Sequence, residues 1–333
     1  MHARMRPMAR SLATFRAALL IGWGVLGLAG IWYARAKGIP GWTALPVVAA
    51  FCIEYPFYLV PAFPMLRERF AGSRLIPFAL LAALLPYLAC CCGAVQFEWG
   101  SLIRVASVAL ALSLWYVVLR PSMVSDLLFL ALVAAILLLK YFNPIFVPLD
   151  PSFKDLKNII VIPHLSLISI SVMVLMVQRR VPDAGYGFVP NAREWRIGLL
   201  HFLYFVPVGL PLALLLGATH FAAPKPVLQV AMTFVGTFCV VALSEDFFLF
   251  GVLQKWIGEW SSSGQVAILT TAAAFGLLHL WFGGSANFPN WKWALVAAVL
   301  GWFCCRARNQ AGSIRASMVT HALVATTWRA FFA

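Results

Sequence analysis

Charge is what this chain has least of. Asp, Glu, Lys and Arg make up only 11% of its 333 residues, against 62% hydrophobic residues and a mean hydropathy of +0.89. A soluble domain typically carries about 25% charged residues, so an ordinary water-soluble domain is excluded. Short alternating segments are also missing. The apolar runs are long and unbroken, which excludes an outer-membrane barrel. No CxxC spacing occurs. Cys52, Cys90, Cys91, Cys92, Cys239, Cys304 and Cys305 all lie within apolar runs and read as small buried hydrophobes. No HExxH occurs either. Acidic residues number 11 against 25 basic ones, giving a net charge of +14.

What is present is a series of apolar runs, at 17–36, 44–64, 76–96, 102–119, 124–140, 157–178, 197–217, 227–254, 265–281, 291–305 and 312–330. About 20 apolar residues span a bilayer as a helix, so the pattern predicts an all-α polytopic membrane bundle of about 11 transmembrane helices. The first run is longer than the roughly 7–15 residues of a signal-peptide core. It is therefore read as an uncleaved helix despite the Ala-Arg-Ala at 34–36. The basic residues cluster as Arg4, Arg6, Arg10 and Arg16, then Arg67, Arg69 and Arg74, then Arg179, Arg180, Arg193 and Arg196, then Arg306, Arg308 and Arg315. An even number of spans separates each group from the next. Lys and Arg favour the cytoplasmic side, so the N-terminus is expected in the cytoplasm. The positive charge thus describes topology and contact with the lipid bilayer, and no nucleic acid partner is expected.

The longest polar connector, 178–196, is rich in Gly, Pro and Arg and reads as a linker. It divides the chain into 1–190, with about six spans, and 191–333, with about five. A second connector at 141–157 holds Pro144, Pro148 and Pro151 and reads as an extracytoplasmic loop. Trp256, Trp260, Trp281, Trp291 and Trp293 fall near span ends, where interfacial anchoring is expected.

Against this apolar background, Glu245 and Asp246 stand side by side in VVALSEDFFLFGVLQ, with no Lys or Arg before Lys255. A carboxylate at mid-bilayer costs about 2.5–3.5 kcal/mol on insertion scales. His279 and His321 lie in two further apolar runs. Helix rise places Glu245 about 15 Å, His279 about 20 Å and His321 about 9 Å from the same membrane side, close enough for one shared site. Adjacent positions on a helix differ by about 100°, so Asp246 need not face the cavity that Glu245 faces; a bond to Ser244 or to a helix terminus is its alternative. Glu54, in a stretch broken by Pro56 and Pro61, reads as an acid paired with backbone or a Tyr. His164 and His201 read as structural.

Three elements recur in order: SEDFFLFGVLQ at 244–254, AFGLLHL at 274–280 and GSIRASMVTHAL at 312–323. Together they resemble the CPBP family of intramembrane proteases, which includes the CAAX prenyl endopeptidases and many bacterial Abi-type proteins. The resemblance covers about 195–333. It implies a C-terminal CPBP-like domain at 191–333 in which Glu245 activates a water while His279 and His321 position it and stabilise the oxyanion, with Asp246 as a fourth member. The sequence departs from the family pattern at three positions. Asp246 stands for the second Glu, Phe250 for the Arg and Ala325 for the Asn. The resemblance further implies an integral protein of the bacterial inner membrane, a membrane-anchored protein or peptide substrate, and no cofactor. One carboxylate and two imidazoles could also ligate zinc, the weaker reading without HExxH. A non-catalytic binding or immunity protein on the same scaffold, and a proton-coupled transporter using Glu54 and the Glu245–Asp246 pair, are the competing functions.

Overall fold

The computed structural model describes residues 2–150, 159–182, 184–282 and 287–332, with side chains from residue 11 onward. The side chains of Arg4, Arg6 and Arg10, together with Pro151, Asp183 and the first two residues of the run at 157–178, lie outside the described residues. Each expected run is helical: α1 (His2–Lys37), α2 (Gly41–Leu59), α3 (Leu75–Cys91), α4 (Trp99–Val118), α5 (Met123–Leu138), α6 (Val161–Met173), α7 (Ala192–Leu215), α8 (Val227–Ser261), α9 (Gly264–Leu278), α10 (Trp291–Ala311) and α11 (Ile314–Phe331). Among the described residues, pairing of extended chain is limited to two isolated bridges, Val95 with Pro148 and Phe221 with Phe332.

Eight of these helices are long and apolar enough to cross a membrane. The other three depart from the expected span for separate reasons. Helix α5 has 16 residues, short of the roughly 20 a bilayer needs. Helix α10 carries Lys292, Arg306 and Arg308. Helix α11 carries Arg315 and Arg329, and it buries Ser317, Thr320, His321 and Thr326. A helix that buries this many polar groups is enclosed by protein rather than by lipid.

The chain forms two compact units, Met1–Arg180 and Val181–Ala333. The break falls inside the 178–196 connector, ahead of the boundary expected at 190/191. In the first unit α6 is buried along most of its length. Its Ser166 and Ser169 hydroxyls each donate at 2.8 Å to the two oxygens of fully buried Glu54. Two serines across the unit are thus partners of Glu54. Pro56 does not break α2, which runs on to Leu59 and gives way to a 3-10 turn at Val60–Ala62.

In the second unit α11 lies at the centre, and three local devices fix it there. Gly312 adopts φ +71 and ends α10 in the left-handed conformation, which costs glycine little. Ser313 then caps α11, its hydroxyl accepting from the Arg315 amide at 3.2 Å. Gly198 lets α7 press against α11. A Cβ there would stand 2.6 Å from the Ala316 carbonyl oxygen, and Thr320 Oγ1 donates to the Gly198 carbonyl at 2.9 Å. The two helix starts are tied by Glu194, which closes the capping box with Asn191 and accepts from Arg315 Nη2 at 2.7 Å.

Candidate functional site

Helix α8 changes its winding around the acid pair. Two π-helical segments, Thr237–Ala242 and Phe247–Leu253, flank the single α-turn Leu243–Asp246. π-turns are rare and recur at functional sites. Ser244 turns back on its own helix and donates to the Val240 and Val241 carbonyls at 2.7 and 3.0 Å. It is therefore not the partner of Asp246.

That partner is His321. Its Nδ1 lies 2.8 Å from Asp246 Oδ1, and both residues are buried. A carboxylate oxygen only accepts, so Nδ1 carries the ring proton in this bond. The opposite ring nitrogen, Nε2, faces Glu245 Oε2 at 3.9 Å, beyond direct hydrogen-bond reach but close enough for one small molecule to touch both. Asp246, His321 and Glu245 thus form a chain from buried core to cavity. The Glu245 side chain is 37% exposed while that of Asp246 is fully enclosed. Glu245 Oε2 and Asp246 Oδ2 are both buried without a protein hydrogen-bond partner, so each can take a donor.

His279 sits just past the end of α9. Its Nδ1 lies 2.8 Å from the Phe275 carbonyl oxygen, which likewise fixes the proton on Nδ1 and leaves Nε2 an acceptor. The Phe275 ring stands between the two imidazoles, 4.6 Å from His279 and 5.4 Å from His321 by ring centroids. Glu245, His279 and His321 line one cavity of about 160 Å³, and Ala325 lines it too. Asp246 does not line the cavity and acts on it only through His321.

Several neighbours of the site were not anticipated. Arg329, two turns beyond His321 on α11, lines the same cavity and donates to Thr237 Oγ1 at 3.2 Å. A fixed cation is therefore present, although Phe250 occupies the motif's Arg position. Phe250 itself is fully buried against Phe275, with centroids 5.5 Å apart. The spacing of Ala325 and Arg329, four and eight residues past His321, is the signal that could have revealed this. Trp293, expected as an interfacial anchor, lines the cavity and stacks on Phe282 at 5.0 Å. Trp256, also expected at the interface, is 1% exposed and belongs to the core. His201, expected to be structural, bonds its Nδ1 to the Ile197 carbonyl at 3.0 Å and lies outside this cavity. Among the described residues, no three His, Cys, Asp or Glu side chains are grouped so as to hold a metal ion.

An apolar helical chain with one cavity lined by a carboxylate and two imidazoles has the makings of a membrane-embedded hydrolase. Residues 226–327 match the family model described as type II CAAX prenyl endopeptidase Rce1-like. Over that stretch the C-terminal unit is similar to Rce1-like endopeptidases, consistent with the CPBP family. The matched stretch holds Glu245, Asp246, His279 and His321 and ends two residues before Arg329. No curated protein matches the chain, and no solved structure does. The family implies a protease acting within the membrane on a membrane-associated peptide.

Proposed function

We propose that the protein is a glutamate-dependent intramembrane endopeptidase whose catalytic residues are Glu245, His279 and His321, with Asp246 positioning His321. The observation that carries this reading is the Asp246–His321–Glu245 chain, a 2.8 Å hydrogen bond followed by a 3.9 Å gap, ending at an unpartnered carboxylate oxygen beside the cavity. In the reaction a water donates a proton to Glu245 as its oxygen attacks the peptide carbonyl carbon. The carbonyl π-electrons move to oxygen, and the resulting oxyanion is stabilised by the His321 ring once Glu245 passes it the proton taken from the water. The C–N bond then breaks and the leaving amine takes a proton from Glu245 or from His321. Asp246 supplies the compensating negative charge while the His321 ring is protonated, the role a buried Asp plays beside a catalytic His.

The substrate class is a membrane-anchored protein or peptide, held beside the aromatic wall of Trp293 and Phe282. The setting is the bacterial inner membrane, with the N-terminus in the cytoplasm. The test is cleavage of membrane-anchored peptides by the full chain in liposomes, read by mass spectrometry. Wild type should cleave, and Glu245→Gln, which keeps the shape and removes the base, should lose at least ~10²-fold in rate. If no peptide is cleaved by wild type, or Glu245→Gln cleaves equally well, the alternative of a non-catalytic binding scaffold becomes the better account.

A further inference from the structure

A second and larger cavity lies in the C-terminal unit, between α7 and α10. It is a groove of about 650 Å³, and its polar lining consists of His201, Tyr204, Arg306 and Gln310. Its apolar lining includes Pro207, Val208, Val299 and Phe303. The two helices run in opposite directions, and the order of residues along them makes the groove a gradient. On α7 it passes from His201 through Tyr204 to Pro207 and Val208. On α10, followed backwards, it passes from Gln310 and Arg306 to Phe303 and Val299. Polar groups gather at one end and apolar groups at the other. From Arg306 to Val299 the groove extends about 10 Å at helical rise.

The charge at the polar end is of one sign. Arg306 lies over the Trp302 ring at 5.3 Å, and among the described residues it has no carboxylate partner. No Asp or Glu lines the groove. The nearest acid in sequence, Glu194, is committed to Arg315. A second guanidinium stands at the same end, where Arg193 Nη2 donates to the Gln310 carbonyl at 3.1 Å. His201 commits Nδ1 to the Ile197 carbonyl, so Nε2 is its remaining polar atom. An unpaired guanidinium binds phosphate oxygens by charge-assisted, often bidentate hydrogen bonds. Basic pockets between membrane helices on the positively charged side take anionic lipid headgroups.

We propose that this groove is a binding site for an anionic phospholipid. Its phosphate pairs with Arg306 and reaches Gln310 and the His201 edge. Its upper acyl chain lies along Phe303, Val208 and Val299. A free phosphate would use only the polar end, and a zwitterionic lipid would bring its own cation to Arg306 and lose the advantage. The site shares no residue with the Glu245 cavity, so the proposal stands apart from the peptidase reading.

The test is native mass spectrometry of the full chain in detergent, titrated with phosphatidylglycerol and phosphatidylcholine of matched acyl chains. Wild type should retain phosphatidylglycerol about tenfold better. Arg306→Gln should remove that preference without changing phosphatidylcholine retention or thermal unfolding, and Arg306→Lys should keep part of it. Val299→Trp, which fills the apolar end, should weaken both lipids. Equal retention of the two lipids by wild type would overturn the proposal. So would an undiminished preference in Arg306→Gln, or displacement of the lipid by equimolar glycerol 3-phosphate, which would mark a simple anion site.

Discussion

His321 owes its position to Asp246, and that dependence gives the sharpest prediction at the residue scale. Asp246→Asn keeps volume but offers an amide where His321 Nδ1 donates at 2.8 Å. The ring tautomer and orientation are then no longer fixed, so cleavage should fall by ~10²-fold, with an unchanged melting temperature and an altered pH–rate profile. A structural role alone would move the melting temperature and leave the profile intact. Arg329 provides a second check. Arg329→Gln should lower kcat/KM on the order of tenfold by removing the cavity's fixed cation, and Arg329→Lys should recover much of it. The sequence made Glu245, His279 and His321 legible because ionisable groups in apolar runs are costly and therefore conspicuous. It hid Arg329, because an Arg near a chain end reads as a topology signal, and it hid the Asp246–His321 bond, because adjacency on a helix says nothing of what a buried carboxylate meets across a bundle.

Helices α8 and α11 carry Glu245, Asp246, His321 and Arg329, α7 packs against α11, and the packing depends on small local features. Gly198 sits where a Cβ would stand 2.5 Å from Val319 Cβ and 2.6 Å from the Ala316 carbonyl oxygen. Gly198→Val should push α7 away from α11 and cost about 1–3 kcal/mol by overpacking, read as a lower melting temperature with activity falling in parallel. Ser313→Ala should remove the α11 cap and cost about 1 kcal/mol. Helix positions were legible from run length alone. The GS pair ahead of His321 was visible as part of a motif, and its physical meaning emerges as a helix stop followed by a helix start. The two π segments of α8 were not legible, because an i→i+5 turn leaves no mark in hydrophobic periodicity. Helix α11 reads in sequence like the other apolar runs, because its buried polar residues are outnumbered by apolar ones, and only the structure shows it enclosed by its neighbours.

The chain holds two compact helical units, Met1–Arg180 and Val181–Ala333, and each encloses buried polar groups. The second is fastened by the Glu194–Arg315 pair, 2.7 Å apart with Glu194 3% exposed. Arg315→Gln would take away that acid's charged partner. Because Arg315 is 30% exposed, the expected cost is on the order of 1–3 kcal/mol, below that of a fully buried pair, and a thermal-unfolding scan measures it. The charge clusters give the topology prediction. An Arg180→Cys variant should react with impermeant thiol reagents only from the cytoplasmic side, and labelling confined to the outer side would contradict it. Hydrolysis at Glu245 remains the central claim, and oxygen-isotope tracing tests it most directly. Full-length protein in liposomes is given a membrane-anchored peptide in ¹⁸O-water, and the products are weighed. Wild type should release a new C-terminal carboxylate carrying one ¹⁸O, and Glu245→Gln, equally folded, should release essentially none. Labelled product from Glu245→Gln at the wild-type rate would contradict the account.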